Sequence, residues 1–323
     1  MKAIPSWLRA PLSIWTVYAI VIPLCVGLTA WLIYGEGNYA TAIFIFLPLF
    51  MGFAITFLYQ QKRPLRFKQA LGWVGLGMVL YCLALALFAI EGLICMIMAL
   101  PIGIPFAMVG ISFSLTLQTY LPDAQRISFW LLLFAIPTTA FVERDLAPTL
   151  HPVSTSVVID ADPQAVWDVV MAFPPLGEPE HWLFKMGIAY PTHAELNGEG
   201  VGAVRRCYFT TGAFVEPITV WDEPNQLAFT VEEYPEPMKE LSFWDLDAPH
   251  LHDYFVSKRG QFDLIALPDG RTELQGTTWY EHAIYPERYW KLWSDYLLHT
   301  IHRRVLNQVK VHAEANGATN SIE

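Results

Sequence analysis

Residues 14–142 carry long apolar stretches broken only by short loops, whereas residues 154–314 mix apolar and polar positions at strand and helix spacing. A helix needs about 20 apolar residues to cross the hydrocarbon core of a bilayer. Five stretches approach that length and predict membrane-spanning helices: 14–34, 39–59, 70–90, 92–117 and 127–142. The fourth contains Pro101 and Pro105, which predict a kink. The fifth is short for a full span.

Cations are distributed unevenly around these predicted spans. Lys2 and Arg9 precede the first span, and the loop after the second carries Lys62, Arg63, Arg66 and Lys68. The loops around Glu36 and Glu91 hold no cation. The positive-inside rule therefore predicts an integral membrane protein, of the inner or plasma membrane in a bacterium, with a cytoplasmic N-terminus. Five spans place the C-terminal domain outside the cytoplasm, and a fifth segment that failed to cross would place it inside. Glu91 is expected in a tight loop rather than at a proton site.

The second half changes to short elements. Asp162 and Pro163 predict the cap and first residue of a helix, and Thr211-Gly212 predicts a hairpin turn. The predicted helices are 163–172, 181–187 and 286–313, and the predicted strands are 154–160, 203–210, 213–221, 226–234, 253–267 and 271–280. In the last helix, apolar residues three to four positions apart form one stripe: Trp290, Trp293, Leu297, Ile301, Val305 and Val309. Strands that follow one another and are closed by one long helix indicate an α+β domain.

Composition supports the division into two domains. The chain has 323 residues, of which 54% are hydrophobic and 15% charged, a balance typical of a protein that lies partly in a membrane. Residues 1–146 carry a net charge of +3, and residues 147–323 carry −13. We therefore predict a transmembrane domain at 1–146, a soluble domain at 147–316 and a disordered tail at 317–323. The acidic soluble domain is expected to bind no nucleic acid.

Chemical motifs are sparse. Cys207 is the one cysteine of the soluble domain, so the sequence predicts no disulfide framework there. His250 and His252 have a spacing compatible with a metal, but without a third ligand at fixed spacing they are interpreted as a surface pair, and no metal site is predicted. No phosphate loop, dinucleotide fingerprint or Ser-His-Asp arrangement occurs in the sequence, and no cofactor is predicted.

Three segments of the soluble domain resemble a known superfamily. They are residues 157–168 (VVIDADPQAVWD), 200–207 (GVGAVRRC) and 220–224 (VWDEP), followed by the long C-terminal helix. In this order they resemble the SRPBCC superfamily, also called START-like or helix-grip, and within it the polyketide cyclase/dehydrase-type and lipid-transport-type members. The resemblance implies a curved antiparallel sheet around the last helix. The predicted fold is thus an N-terminal all-α transmembrane bundle of about five helices followed by a C-terminal α+β helix-grip domain.

The resemblance also implies a cavity between sheet and helix. Aromatic residues on the predicted strands and last helix are the candidate lining: Phe209, Phe214, Trp221, Phe229, Phe262, Trp279, Trp290 and Trp293. Ordinary core packing is the alternative for all eight. Arg206 and Glu216 lie on adjacent predicted strands and are expected to meet in the cavity as its polar groups. Glu281 and His282 precede the last helix and are candidates for acid–base chemistry, or else solvated loop residues.

These observations favour a membrane-anchored protein that binds a hydrophobic small molecule or lipid. The alternatives are a cyclase- or hydrolase-like enzyme that uses polar residues of the same cavity, and a non-catalytic structural or interaction module with a filled core. No catalytic residue is assigned, and no protein partner is predicted. The acidic, aromatic insert at 235–251 is interpreted as a lid, a membrane-dipping loop or a plain surface loop.

Overall fold

A computed structural model describes residues 12–61, 64–244, 246–252 and 254–320, with side chains described as far as residue 316. The predicted tail at 317–323 lies beyond the described side chains. The chain divides into two compact units. The helical unit comprises Met1–Ala147, Leu241–Pro249 and Ile284–Tyr289, and the sheet unit comprises Pro148–Glu240, His250–Ala283 and Trp290–Glu323.

Among the residues of the helical unit that the structure describes, five helices are long and apolar enough to cross a membrane, which confirms the predicted five-helix bundle. They are α1 (Ile14–Ala30, extended by a π-helical turn Trp31–Gly35), α2 (Leu47–Gln60, preceded by a π-helical turn Ala42–Phe46), α3 (Phe67–Leu87), α4 (Leu93–Tyr120) and α5 (Ala124–Glu143). The fifth helix begins three residues before the predicted stretch and has 20 residues, so it reaches span length.

The helices α2 and α4 approach each other at two glycines. A Cβ atom at Gly52 would lie 2.1 Å from the carbonyl oxygen of Ala107, and one at Gly110 would lie 2.1 Å from that of Leu49. Close backbone approach at small residues is how helices associate in an apolar solvent, where no hydrophobic effect drives them together. Nearby, the Gln60 side-chain amide donates to the Ser114 hydroxyl at 2.9 Å, so a buried polar contact joins the same two helices.

Glu91 lies in the short loop between α3 and α4, where the sequence predicts it. The loop contains Ala89 in the left-handed region, with φ of 53°. Glu91 is 7% exposed and lies close to Tyr39. Burial and the adjacent Glu91 raise the pKa of Tyr39.

The sheet unit contains seven antiparallel strands in one curled sheet: β1 (His151–Ile159), β2 (Pro191–Asn197), β3 (Val204–Phe209), β4 (Gly212–Asp222), β5 (Gln226–Thr230), β6 (Phe255–Ala266) and β7 (Thr272–His282). Their spatial order is β1-β7-β6-β5-β4-β3-β2, so β1 and β2 form the two edges. The short helices α6 (Pro163–Met171) and α7 (Trp182–Met186) carry the chain from one edge to the other. The sequence analysis missed β2, which has only two buried positions.

The long C-terminal helix α8 (Glu287–Asn320) packs on the concave face of the sheet. The packed interior, here called the sheet core, joins α6, the concave side of the strands and α8 through Ile159, Val166, Trp167, Val170, Ile218, Leu227, Leu264, Leu274, Leu306 and Val309, among others. The predicted stripe is confirmed at Trp290, Val305 and Val309, whereas Leu297 and Ile301 are only partly buried and Leu298 and Leu306 of the same helix are buried. This sheet-and-helix arrangement is the predicted helix-grip fold.

Candidate functional site

A buried ion pair lies on the concave face of the sheet. Arg205 of β3 and Glu216 of β4 stand opposite each other in the register, and both side chains are almost completely buried. The Arg205 guanidinium donates a hydrogen bond to a Glu216 carboxylate oxygen, and its Nε donates to the Met171 carbonyl at 3.2 Å. Both donors therefore fix the guanidinium in one orientation.

The expected partner of Glu216 was Arg206, and this pairing is corrected by the structure. Arg206 stands opposite Val215 on β4 and Glu195 on β2, and its side chain is only half-buried. Side chains alternate between the two faces of a strand, so a shift by one residue moves a side chain to the other face. Adjacent strands were predicted correctly, but the register that selects Arg205 is set by the hairpin.

Aromatic rings surround the Arg205 guanidinium. Its Cζ atom lies 5.6 Å from the ring centroids of Phe173 and Phe229 and 5.7 Å from that of Phe262. A guanidinium within about 6 Å of a ring face gains cation–π attraction, which is stronger where water is excluded. Two predicted cavity residues, Phe229 and Phe262, thus form part of the environment of the ion pair.

Burial changes the acid–base properties of these groups. Burial raises the pKa of Glu216, and the adjacent Arg205 guanidinium opposes that shift. For Arg205, burial acts to lower the pKa, but the Glu216 carboxylate and Cys207 together outweigh it and the pKa rises. Burial also raises the pKa of the Cys207 thiol to about 12. Since the thiolate is the nucleophile, Cys207 is an inert core residue at neutral pH.

The other predicted lining residues fall into three groups. Phe209, Phe214 and Trp221 pack against the sheet core, and the Phe209 and Phe214 rings are 4.7 Å apart. Trp290 is buried and Trp293 is half-buried beside Tyr296, both near the start of α8. The eighth residue, Trp279, belongs to a different face.

Trp279 lies on the face of β7 away from α8. The residues on either side of it contact α8: Thr278 hydrogen-bonds His302 and Tyr280 hydrogen-bonds Asp295. Alternation along the strand therefore directs Trp279 to the opposite side, where its ring centroid lies 4.1 Å from Arg259 Cζ. The prediction that Trp279 lines the space between the sheet and α8 with the other aromatic residues is therefore wrong.

A histidine network that the sequence analysis missed connects α8 to the sheet. The Thr155 hydroxyl lies 2.8 Å from His299 Nδ1 and 3.1 Å from His302 Nδ1, and Thr278 Oγ1 lies 2.8 Å from His302 Nε2. Burial, with His299 nearby, lowers the pKa of His302 to about 4. Two histidines three residues apart within the predicted last helix, His299 and His302, were the available signal, because this spacing places both on one helix face.

An open cleft of about 430 Å³ lies at the end of the sheet where β5 and β7 end and β6 begins. Its wall has five apolar or aromatic residues and three ionisable ones: Pro148, Val231, Tyr234, Val256, Ala283, Lys258, Glu281 and His282. Lys258 Nζ and Glu281 Oε2 are 3.1 Å apart, and both side chains are partly exposed. Glu281 and His282, the consecutive residues considered from the sequence for acid–base chemistry or as loop residues, lie at the end of β7 and line this cleft together with Lys258.

Val231 connects the cleft with the sheet core. It lines the cleft and also packs against the core cluster that includes Phe229. On the other side, His282 is buried and its ring stacks on those of His151 and Tyr280, with centroids 5.8 and 6.1 Å apart. The cleft is therefore backed by aromatic packing rather than by a flexible loop.

The two histidines of the insert occupy different environments, which corrects their interpretation as a surface pair. His250 is 5% exposed, and its Nε2 lies 3.6 Å from Glu240 Oε1. His252 is exposed. A short 3-10 helix at Pro249–Leu251 turns the backbone here, so the two rings do not share a strand face.

The insert itself is divided between the units. Leu241–Pro249 belongs to the helical unit, where the Leu93 amide donates to the Leu241 carbonyl at 3.1 Å. The Trp244 indole N–H donates to the Leu87 carbonyl at 3.2 Å. Both partners are backbone groups at helix ends, which lack a partner within the helix. Leu241–Pro249 thus packs at the ends of α3 and α4.

The chain was compared with known proteins. No family model matches it, and no curated protein does. Solved structures that resemble it include a protein from Nitrosospira multiformis (19% identity, TM-score 0.33, covering 54% of this chain and 100% of that one). Another is the Zhui aromatase/cyclase from Streptomyces sp. R1128 (17% identity, TM-score 0.33, 52% and 96%). A third is a truncated norcoclaurine synthase from Thalictrum flavum (13% identity, TM-score 0.31, 51% and 96%).

Proposed function

We propose that this protein is anchored in a membrane by α1–α5 and that its sheet unit binds a largely apolar small molecule or lipid. The observation that carries the proposal is the cleft of about 430 Å³ with five apolar or aromatic and three ionisable lining residues. Sites for small molecules typically have volumes of about 300–1,000 Å³ and apolar walls with a few polar groups that fix orientation. Lys258 and Glu281 supply such groups here.

The aromatic residues that pack against the sheet core support the same proposal. Four of the predicted lining residues are partly buried and pack against the sheet core: Phe209, Phe214, Trp221 and Phe262. Val231 packs against the same core and also lines the cleft. An apolar ligand in the cleft would gain contact with Val231 and Val256, while its polar group would reach Lys258 or Glu281. Anchoring in a bilayer would keep the cleft close to a source of apolar ligands and raise their effective concentration.

The ligand proposal is tested on detergent-purified full-length protein. Extraction and mass spectrometry are expected to find a retained apolar compound in the wild-type protein. Val256→Trp fills the cleft and should lower retention at least about tenfold, which corresponds to roughly 1.4 kcal/mol of binding energy. Val220→Trp on β4 is the matched control, because Val220 is 36% exposed and does not line the cleft. Equal retention in both variants would exclude this cleft, and an empty wild-type protein would refute ligand binding.

A cyclase- or hydrolase-like enzyme is the second candidate, favoured by the convergence of Lys258, Glu281 and His282 in one cleft. Paired ionisable groups in a cleft are typical of acid–base catalysis. The same extraction separates the two functions. In an enzyme, Glu281→Gln should accumulate a compound chemically different from the one that the wild-type protein retains. In a binding protein, both should retain the same compound.

The proposed orientation follows from the cations of the chain, with the N-terminus in the cytoplasm and the sheet unit outside. Glu199 is exposed in the turn between β2 and β3, so a cysteine there is accessible. We expect Glu199→Cys in intact cells to react with a membrane-impermeant maleimide. The cysteines of the described chain are buried or half-buried, which keeps the background low. Labelling only after permeabilisation would place the sheet unit in the cytoplasm.

A further inference from the structure

A second cavity, of about 340 Å³, lies in the helical unit between the end of the first span and α5. It is lined by Trp31, Glu36, Pro137, Thr138, Ala140 and Phe141. We call it the α1–α5 groove. Trp31 belongs to the π-helical turn that extends α1, and Glu36 follows directly after that turn. The four remaining residues lie in the last two turns of α5.

Hydrogen bonds fix the two walls of the groove. The Asn38 side-chain amide donates to the Ala140 carbonyl at 3.0 Å, and the Thr41 amide donates to a Glu143 carboxylate oxygen at 2.8 Å. Asn38 is buried, so its bond to α5 is protected from water. The walls are therefore held together on both sides of the helix end, and the groove is a built feature of the helical unit.

One part of the groove is apolar and exposed. Trp31 is 43% exposed and Phe141 is 65% exposed. Both lie near the ends of span-length helices, where aromatic rings favour the boundary between acyl chains and headgroups. The groove thus opens at the depth where a lipid passes from its apolar to its polar part.

The polar end of the groove is acidic. Glu36 lines it, and Arg144 Nη1 lies 3.8 Å from Glu36 Oε2. Arg144 also contacts Asp145, with 3.5 Å between Nε and Oδ1, and its Cζ lies 5.0 Å from the Phe141 ring centroid. Glu143, which accepts the hydrogen bond from the Thr41 amide, is the third carboxylate here besides Glu36 and Asp145. Three carboxylates therefore lie near the single guanidinium of Arg144. This end therefore repels an anionic headgroup and attracts a cation, while Arg144 can still contact a phosphate.

We propose that the α1–α5 groove binds a zwitterionic membrane lipid with an ammonium headgroup. The ammonium contacts Glu36, the phosphate contacts Arg144, and an acyl chain lies along Trp31 and Phe141. The volume of about 340 Å³ is within the range of small-molecule sites. This inference rests on the membrane anchoring proposed above, but it concerns a site separate from the cleft of the sheet unit.

The test uses full-length protein purified in mixed micelles that contain equal amounts of phosphatidylethanolamine, phosphatidylcholine and phosphatidylglycerol. Co-purified lipids are quantified by mass spectrometry. We expect the two zwitterionic lipids together to be enriched over phosphatidylglycerol by roughly threefold, the size of one partly exposed ion pair. If phosphatidylethanolamine is enriched over phosphatidylcholine, the groove recognises a primary ammonium. If the two lipids are retained equally, the groove recognises only the positive charge of the headgroup.

Variants of the acidic end identify the residue responsible. Glu36→Gln should abolish the enrichment, and Glu36→Lys should reverse it in favour of phosphatidylglycerol. Asp123→Asn is the matched control: Asp123 is exposed at the opposite end of α5 and does not line the groove, so the enrichment should persist. A reversal by Glu36→Lys also shows that the loss in Glu36→Gln is not a folding defect. Enrichment of phosphatidylglycerol in the wild-type protein, or equal lipid profiles in the wild type and Glu36→Gln, would overturn the proposal.

A separate measurement distinguishes this proposal from the proposed function. If alkaline carbonate extracts the protein from membranes, the anchoring itself is wrong and both proposals fall. If the protein stays in the membrane but shows no lipid preference, only the groove proposal fails, and ligand binding in the sheet unit is unaffected.

Discussion

Arg205→Met is expected to lower the free energy of unfolding of the sheet unit by about 3–5 kcal/mol, the usual cost of breaking a buried ion pair from one side. The substitution leaves Glu216 buried, 6% exposed, without the guanidinium that pairs with it. An uncompensated carboxylate there must either ionise without a partner or take up a proton, and both cost free energy. The measurement is urea unfolding of the full-length protein in mild detergent, followed by near-UV circular dichroism.

The neighbouring arginine provides a matched control. Arg206→Met changes the same residue type one position along β3, on the half-buried opposite face, and should shift the unfolding free energy by less than about 0.5 kcal/mol. The double variant Arg205→Met/Glu216→Leu removes both charges and should recover most of the lost stability, because a well-packed apolar pair often replaces a buried ion pair at little cost. If Arg205→Met and Arg206→Met were equally mild, the pair would have no structural role.

The second large effect is a dependence of stability on pH that originates at His302. Burial, followed by the nearby His299, lowers its pKa from 6.5 to about 4 in the folded protein. The unfolded chain therefore takes up a proton at higher pH than the folded one. Its contribution to stability is fully present above about pH 6.5 and is lost as the pH falls towards 4. At 1.36 kcal/mol per pKa unit, the loss is about 3 kcal/mol.

His302→Gln should flatten this pH profile, since glutamine cannot gain a charge in that range while it can still hydrogen-bond Thr155 and Thr278. The comparison of unfolding free energies at pH 7 and pH 4 isolates the effect from carboxylates that titrate in both proteins. His193→Gln, on the opposite side of the unit at β2 and partly exposed, should retain the wild-type profile. A His302→Gln profile as steep as the wild type would show that another group causes the acid sensitivity.

Short-range patterns predicted most elements of the fold but not the partners within it. Asp162 caps α6 as expected, accepting hydrogen bonds from the amides of Gln164 and Ala165. A hairpin between β3 and β4 also forms, but its loop is Thr210-Thr211 rather than the predicted Thr211-Gly212, and Gly212 pairs with Phe209 at the start of β4. Yet the same hairpin pairs Arg205 rather than Arg206 with Glu216, because register depends on where the ladder begins. Predicting the strands alone therefore does not show which of the two arginines pairs with Glu216.

The boundary between the two units shows a similar limit. Hydropathy places a change of character near residue 146, and the helical unit indeed includes the chain up to Ala147. But Leu241–Pro249 and Ile284–Tyr289 also belong to the helical unit, although they follow more than 90 residues later. Their contacts are made to backbone groups, such as the Tyr285 amide donating to the Tyr39 carbonyl at 2.8 Å. Every residue carries a backbone carbonyl, so the sequence does not show that these two segments belong to the helical unit.

Local sequence patterns were sufficient to predict five helices of span length, the order of every later strand and α-helix except β2, and the long helix that closes the sheet. These features depend on apolar periodicity and on turn and cap residues, which act over a few positions. Three-dimensional packing was needed to show that Arg205 meets Glu216, that Trp279 faces away from α8, and that Lys258, Glu281 and His282 share one cleft. Those outcomes depend on strand register and on contacts between residues distant in the chain, which local patterns do not encode.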